Sequence, residues 1–278
     1  MNQLVELKSI KKKYGKKTIL YDMSLRLEEK QVIAVLGGNG SGKSTFLRMA
    51  AGVERPDSGQ VVYADKNIRI GYVPERFPNY LRFTPNEYLH YTGRIGGISE
   101  AELKQRISSL LHRFQLDKWS DRRISTLSKG NIQKVGIIQA ILPQPELLVL
   151  DEPLSGLDFS AQQELLLILD ELKERGTSIL LTYHEAPIFE EVVDQAYYIK
   201  DGQLTEEKLV EKDAVKVIEV KGLTDIDVQE WNELINKERR ENSLLLYVNS
   251  ENSDQILSRI LELQGSIEYV GNIDYKIE

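Results

Sequence analysis

A chain of 278 residues accommodates one large domain, or one domain with a small companion. Hydrophobic residues at 41% supply a buried core, while a net charge of −7 argues against a nucleic-acid partner, whose phosphates demand a basic face. The lack of cysteine excludes disulfides and thiolate metal sites, and no apolar run approaches the roughly 20 residues of a transmembrane helix. From Met1 to Leu7 the chain shows neither the charged nor the apolar region of a signal peptide, so a cytoplasmic location is expected.

In chain order, Leu4 to Leu7, Lys17 to Tyr21, Met23 to Leu27 and Val32 to Leu36 read as strands. Met23, Leu25 and Leu27 alternate onto one face, the pattern of a half-buried antiparallel strand. The basic run from Lys8 to Lys17 reads as a solvated edge. A helix is expected from Thr45 to Ala51, followed by the breaker cluster Arg55 to Gly59. Gln60 to Ala64 and Ile68 to Val73 are two further strands.

From about residue 76 to 145 the pattern turns helical. Ser99 and Glu102 have capping-box spacing, and Leu103, Ile107, Leu110, Leu111 and Phe114 recur at helical intervals. Leu127 to Leu142 form another helical stretch, stopped by Pro143 and Pro145. Leu147 to Leu150 read as a buried strand, Ser160 to Arg175 as a helix, and Ser178 to Thr182 and Gln195 to Lys200 as strands. Alternating strands and helices on both sides of a helical insert predict an α/β nucleotide-binding domain over residues 1–205. Past Glu206, Val215 to Val220, Asp227 to Glu238, Ser243 to Asn249, Asp254 to Gln264 and Ser266 to Val270 read as β-α-β-α-β. They predict a small accessory α+β domain over 207–278.

Two stretches carry chemistry. Between the strand ending at Leu36 and the following helix lie Gly37, Gly38, Asn39, Gly40, Ser41, Gly42, Lys43, Ser44 and Thr45, a Gly-x-x-x-x-Gly-Lys-Ser loop. Glycines let backbone N–H groups converge on phosphate oxygens at a helix N-terminus; Lys43 can reach the β- and γ-phosphates and Ser44 can ligate Mg²⁺. A glycine-rich turn beside a surface lysine is the alternative, and four fixed positions match by chance in only about 1% of such chains. Second, the strand ending at Leu150 delivers Asp151 and Glu152 to the edge where an α/β sheet binds its ligands. Asp151 can hold Mg²⁺ and Glu152 can act as a general base on water.

With these residues in place the chain resembles the ATPase subunits of ABC transporters, from residue 4 to about 205. Gly37 to Thr45 match the Walker A motif and Leu147 to Pro153 the Walker B motif with its catalytic glutamate. Leu127-Ser128-Lys129-Gly130-Asn131 stands at the signature position, Ser155-Gly156-Leu157-Asp158 at the D-loop, and His184 at the switch histidine. Tyr14 stands where the family stacks an aromatic ring on adenine, and Glu75 where its Q-loop has glutamine. The resemblance implies ATP and Mg²⁺ as cofactors. Glu152 and His184 would act on the attacking water, Ser44, Asp151 and Glu75 would hold the metal, and Ser128, Gly130 and Asp158 would bind the nucleotide, Ser128 and Gly130 from the opposite subunit.

Two departures stand out: in the signature Lys129 replaces the first glycine and Asn131 the glutamine, and in the Q-loop Glu75 brings a charge where an amide is usual. Both are similar to variants in bacterial exporter-type subunits such as the bacitracin-resistance-type group. The resemblance implies a homodimer or paired ATPase subunit around two ATP molecules and a separate polytopic membrane permease, docked near Pro74 to Thr92. That permease would hold the protein on the inner face of the membrane and carry the exported substrate. Other readings are a soluble ABC ATPase acting on ribosomes or DNA, and a nucleotide-gated interaction module of low turnover.

Overall fold

The apolar run before the glycine loop becomes an inner strand of a six-stranded sheet, and the loop leads into a helix. The computed structural model describes residues 2–183, 189, 192–207, 215–224, 227–228, 231, 233–240, 243–249 and 252–272. They separate into two compact units, Met1–Glu207 and Lys208–Glu278.

The first unit opens with β1 (Gln3–Tyr14) and β2 (Lys17–Glu28), then β3 (Val32–Leu36), α1 (Lys43–Ala50), β4 (Ser58–Tyr63) and β5 (Ile70–Val73). The helical insert follows as α2 (Pro85–Ile95), α3 (Glu100–Arg113) and α4 (Lys129–Ile141). β6 (Leu147–Asp151), α5 (Phe159–Glu174), β7 (Ser178–Thr182), β8 (Gln195–Lys200) and β9 (Gln203–Glu207) complete it. The large sheet runs β5-β6-β7-β3-β8-β9, parallel except for β9 on its edge, and a separate antiparallel sheet runs β2-β1-β4.

Between the two sheets lies α1. Its Phe46, Leu47 and Met49 are fully buried in one cluster with Leu7, Leu20 and Leu27 of the antiparallel sheet and Ile33, Val149 and Leu180 of the parallel one. Full burial of one such side chain stabilises by about 1.5–3 kcal/mol, so the helix carrying the glycine loop is fixed from both sides. The alternate residues Leu148, Leu150, Ile179 and Leu181 are equally buried and face the other way. That two-sided burial is why these strands read as continuous apolar runs.

Several elements differ from the sequence expectation. β2 is one strand rather than two; Asp22, at φ +53°, absorbs a register shift against β1 instead of ending the strand. Thr84, not Ser99, makes the capping box: its hydroxyl accepts from Glu87 N at 3.2 Å while the Glu87 carboxylate accepts from Thr84 N at 2.9 Å. Ser99 caps α3 by position without a side-chain hydrogen bond, so its spacing to Glu102 matched the motif and not the geometry. Arg113, in the last turn of α3, clasps Glu171 of α5 with two bonds of 2.9 and 2.7 Å and also reaches Glu164, joining the insert to the core.

The second unit contains β10 (Val215–Lys221), β11 (Leu234–Arg239), β12 (Leu244–Asn249), α6 (Ser253–Glu262) and β13 (Ser266–Asn272). Its antiparallel sheet runs β11-β12-β10-β13, and Ile256 and Ile260 of α6 pack on Ile218, Val220, Leu246 and Val248. Here the helix expected over Asp227–Glu238 is corrected. Leu234–Arg239 pair with β12 as an edge strand, whose exposed Glu238 and Arg239 follow edge-strand charge placement and not a helical face. Among the described residues no helix is long and apolar enough to cross a membrane.

Candidate nucleotide site

Only glycine satisfies two positions of the loop between β3 and α1. Gly37 has φ +144°, and a Cβ there would come within 2.8 Å of the Ile199 carbonyl oxygen and of Ser41 Oγ. Gly42 caps α1 at φ +108°, and a Cβ there would press to 2.6 Å from Leu20. The loop therefore lies flat on its neighbours and offers the N-terminus of α1. Lys43 folds back over it, donating to the carbonyls of Gly37 at 2.7 Å and Gly38 at 3.2 Å. Burial pushes its ammonium down from the usual lysine range, against the opposing pull of Glu152, Asp151 and Glu75.

A cleft of about 220 Å³ opens over this loop. It is lined by Tyr14 and Ile19 from the first hairpin, by Asn39, Gly40 and Gly42 to Thr45, by Glu75 after β5, and by Glu152 after β6. Gly38 to Ser41 also line an adjoining, wider groove with Lys17, Lys200 and Gly202. Asp151 ends β6 only 2% exposed, and the Thr182 hydroxyl donates to its Oδ1 at 2.9 Å. The same hydroxyl accepts from Glu152 N at 2.9 Å. Glu152 itself sits at φ +49°, a left-handed conformation uncommon outside glycine, which turns its side chain into the cleft lining. Burial, and then the Asp151 charge, push the Tyr72 phenol up to about 12.

A second group of candidates gathers elsewhere. Ser128 caps α4, accepting from Asn131 N at 3.2 Å. A Cβ on Gly130 would collide with the carbonyl oxygen of Gly156. Lys129 runs its stem over Gly156 and donates to Ser155 Oγ at 3.0 Å. Lys134 pairs with Asp158 at 2.8 Å while Asp158 caps α5 by accepting from Ala161 N at 2.9 Å. Lys134 and then the Ala161 N–H hold the Asp158 carboxyl below its ordinary value. None of Ser128, Gly130 and Asp158 lines the cleft over the loop.

A family model for ABC transporters matches residues 20–155. An uncharacterized ABC transporter ATP-binding protein of Methanocaldococcus jannaschii is 32% identical over 73% of this chain and 76% of its own. The chain belongs to the ABC transporter ATP-binding proteins. The Nod factor export ATP-binding protein I of Bradyrhizobium diazoefficiens is 33% identical over 72% of this chain and 69% of its own. A solved ATP-binding subunit of an ABC transporter matches with a TM-score of 0.68 at 26% identity, covering 94% of this chain and 99% of that one.

As an ABC ATPase the chain should accept a nucleotide, and its residues fit one. Ser41 Oγ is buried without a partner inside the loop, an oxygen suited to phosphate or to water. For Mg²⁺, Ser44 and Glu75 line the cleft and Asp151 ends the strand beside it. Among the described residues no three acidic or histidine side chains converge. A divalent ion here would therefore depend on phosphate oxygens for much of its shell, which suits magnesium. His184 lies outside the described residues. Thr182, Arg48 and Glu54 were not singled out from the sequence. Thr182 had one available signal, a hydroxyl closing the apolar run Ser178 to Thr182 beside the acidic strand end.

Proposed function

We propose that this ABC ATPase works as a dimer that closes around two ATP molecules and drives export through a separate transmembrane partner. One observation carries the dimer: Tyr14, the loop, Glu75 and Glu152 share one cleft, whereas Ser128, Gly130 and Asp158 are held together away from it. A complete site then takes its α4 N-terminus, with Ser128 and Gly130, from a second copy, where N–H groups can meet a γ-phosphate. In that arrangement Lys43 and the loop hold the phosphates, and Tyr14 offers its ring to adenine. Glu152 takes the proton from the attacking water, oriented together with His184. Magnesium held by Ser44 and Asp151, with Glu75 near, would neutralise charge on the β- and γ-phosphates.

Export is the direction named for the Nod factor relative. Proteins named for import also match the chain at comparable identity, so direction is a question for the partner. Association with that partner would place the protein on the cytoplasmic side of the membrane, and the second unit, Lys208–Glu278, which has its own core, would serve as an accessory domain.

Glu152→Gln tests the site. It should nearly abolish ATP turnover, keep nucleotide binding, and accumulate an ATP-dependent dimer of the 31.8-kDa chain in light scattering. Turnover at the wild-type rate would refute the base assignment, and a monomer at saturating ATP would refute the composite site. Purification from detergent-solubilised membranes should bring down a polytopic partner. Recovery with ribosomes alone would sink the transport reading.

A further inference from the structure

Tyr14 ends β1 at the first hairpin, its residue 47% exposed, yet its hydroxyl is anchored twice. It donates to Glu54 Oε1 at 2.6 Å and accepts from Arg48 Nη2 at 3.1 Å. Arg48 also donates through Nε to Glu54 Oε2 at 2.9 Å and through Nη2 to Thr45 Oγ1 at 3.2 Å. Lys12 pairs with Glu54 at 2.9 Å, and its ammonium lies 5.6 Å from the centre of the Tyr14 ring. The basic run from Lys8 to Lys17 is exposed over most of its length, but within it the Lys12 side chain is only 12% exposed.

Arg48 stands on α1, the helix that carries Lys43, Ser44 and Thr45. One short helix thus sets both the phosphate-binding groups and, through Arg48, the plane of an aromatic ring on the same cleft. An unanchored ring at a hairpin end would have to be ordered at each binding event, and that entropy cost lowers affinity. We infer that Arg48 and Glu54 are positioning residues for recognition of the nucleotide base, acting by holding Tyr14 in a fixed orientation. The inference rests on the proposal that Tyr14 stacks on adenine. Simple stapling of β1 to the segment after α1 does not require the Tyr14 hydroxyl. Lys12 Nζ to the Arg55 carbonyl at 2.7 Å and Lys13 N to Asp57 Oδ2 at 2.6 Å already provide it.

Binding of ATP and of inorganic tripolyphosphate to the full chain, by titration calorimetry, separates the possibilities, because tripolyphosphate has no base. Tyr14→Phe, Glu54→Ala and Arg48→Met should each weaken ATP by roughly 3- to 10-fold, the scale of one or two lost hydrogen bonds. Tripolyphosphate affinity should stay unchanged, and Glu54→Ala should add little on top of Tyr14→Phe. Equal losses for both ligands in Glu54→Ala and Arg48→Met would reduce these residues to a fold-holding role and overturn the inference. Wild-type ATP affinity in Tyr14→Phe, with a loss in Tyr14→Ala, would overturn it while leaving the stacking reading intact. Wild-type ATP affinity in Tyr14→Ala would remove the stacking reading, and the inference with it.

Discussion

Thr182 and Asp151 face each other across the β6–β7 pairing, and the Thr182 hydroxyl donates to Asp151 Oδ1 at 2.9 Å. The pair is almost wholly buried, so this donor matters more than it would in water. Because Thr182 Oγ1 also accepts from Glu152 N, one hydroxyl orients the buried carboxylate and the strained residue after it. Thr182→Val keeps the shape and deletes both bonds. We expect it to destabilise the protein by about 1–3 kcal/mol, the cost of buried polar groups left unpaired. ATP turnover should fall at least about tenfold, since a shift of roughly 1.4 kcal/mol in the barrier suffices. Thr182→Ser should recover most of both. Steady-state ATPase rates and urea unfolding check this, and unchanged turnover in Thr182→Val would remove the positioning role.

Gly130 shows how closely the signature segment packs on the turn before α5. No side chain fits between its Cα and the Gly156 carbonyl, so Gly130→Ala must push α4 and the Ser155–Asp158 turn apart. The cleft over the glycine loop contains neither residue. Nucleotide affinity of the isolated chain should therefore stay within about twofold of wild type, a change of under ~0.5 kcal/mol. ATP-driven dimerisation and turnover should be lost by tenfold or more if a second copy supplies this surface. Light scattering with ATP in the Glu152→Gln background, with and without Gly130→Ala, reads the effect. Full dimerisation of the double variant would argue against a composite site.

Lys129 departs from the family's glycine, and its contacts explain how the departure is accommodated. Its stem covers Gly156 and its ammonium reaches Ser155, so it braces the turn that Gly130 touches. Lys129→Met retains the stem and removes only an exposed hydrogen bond, so turnover should change by less than about threefold. Lys129→Gly removes the brace and adds backbone freedom near the helix start, at roughly 1 kcal/mol, and should slow turnover about fivefold. The ratio of the two rates is the measurement. Equal rates would mean that the covering stem does nothing.

The parts of this fold and site that were legible in the sequence are those whose physics is local. The glycine loop announces itself because Gly37 and Gly42 take positive φ within six residues of Lys43, although the neighbours that also crowd them, Ile199 and Leu20, are distant in sequence. Likewise the acids at 151 and 152 follow directly on an apolar strand. What stayed hidden depends on distant chain. Thr182 lies 31 residues from Asp151, and Glu54 lies 40 from Tyr14. Neither contact leaves a periodicity or a spacing to read. Leu234–Arg239 was misread for a related reason. Its Lys, Glu and Arg are good helix formers, and only pairing with β12 makes the segment a strand. Ser99 and Thr84 make the same point in miniature. Both precede a glutamate at the right distance, and only the chain's approach to α2 closes the reciprocal bonds.

Glu54 supplies a test by pH. Burial alone would raise its carboxyl, but hydrogen bonds from Tyr14, Lys12 and Arg48 outweigh that and hold it at about 2, against an ordinary 4.5. A carboxyl with a depressed folded-state value stabilises the fold fully above the unfolded value. It loses that contribution as pH falls from about 4.5 towards 2. The difference in thermal midpoint between wild type and Glu54→Gln should therefore be constant from pH 7 to pH 5 and narrow steadily below, as protonation makes the carboxyl resemble the amide. Melting curves of both proteins at half-unit steps between pH 7 and pH 3 measure it. A difference that stays constant down to pH 3 would mean that the Glu54 carboxyl gains nothing from its charge in this cluster, and that Tyr14 and Arg48 are held as well by a neutral acceptor.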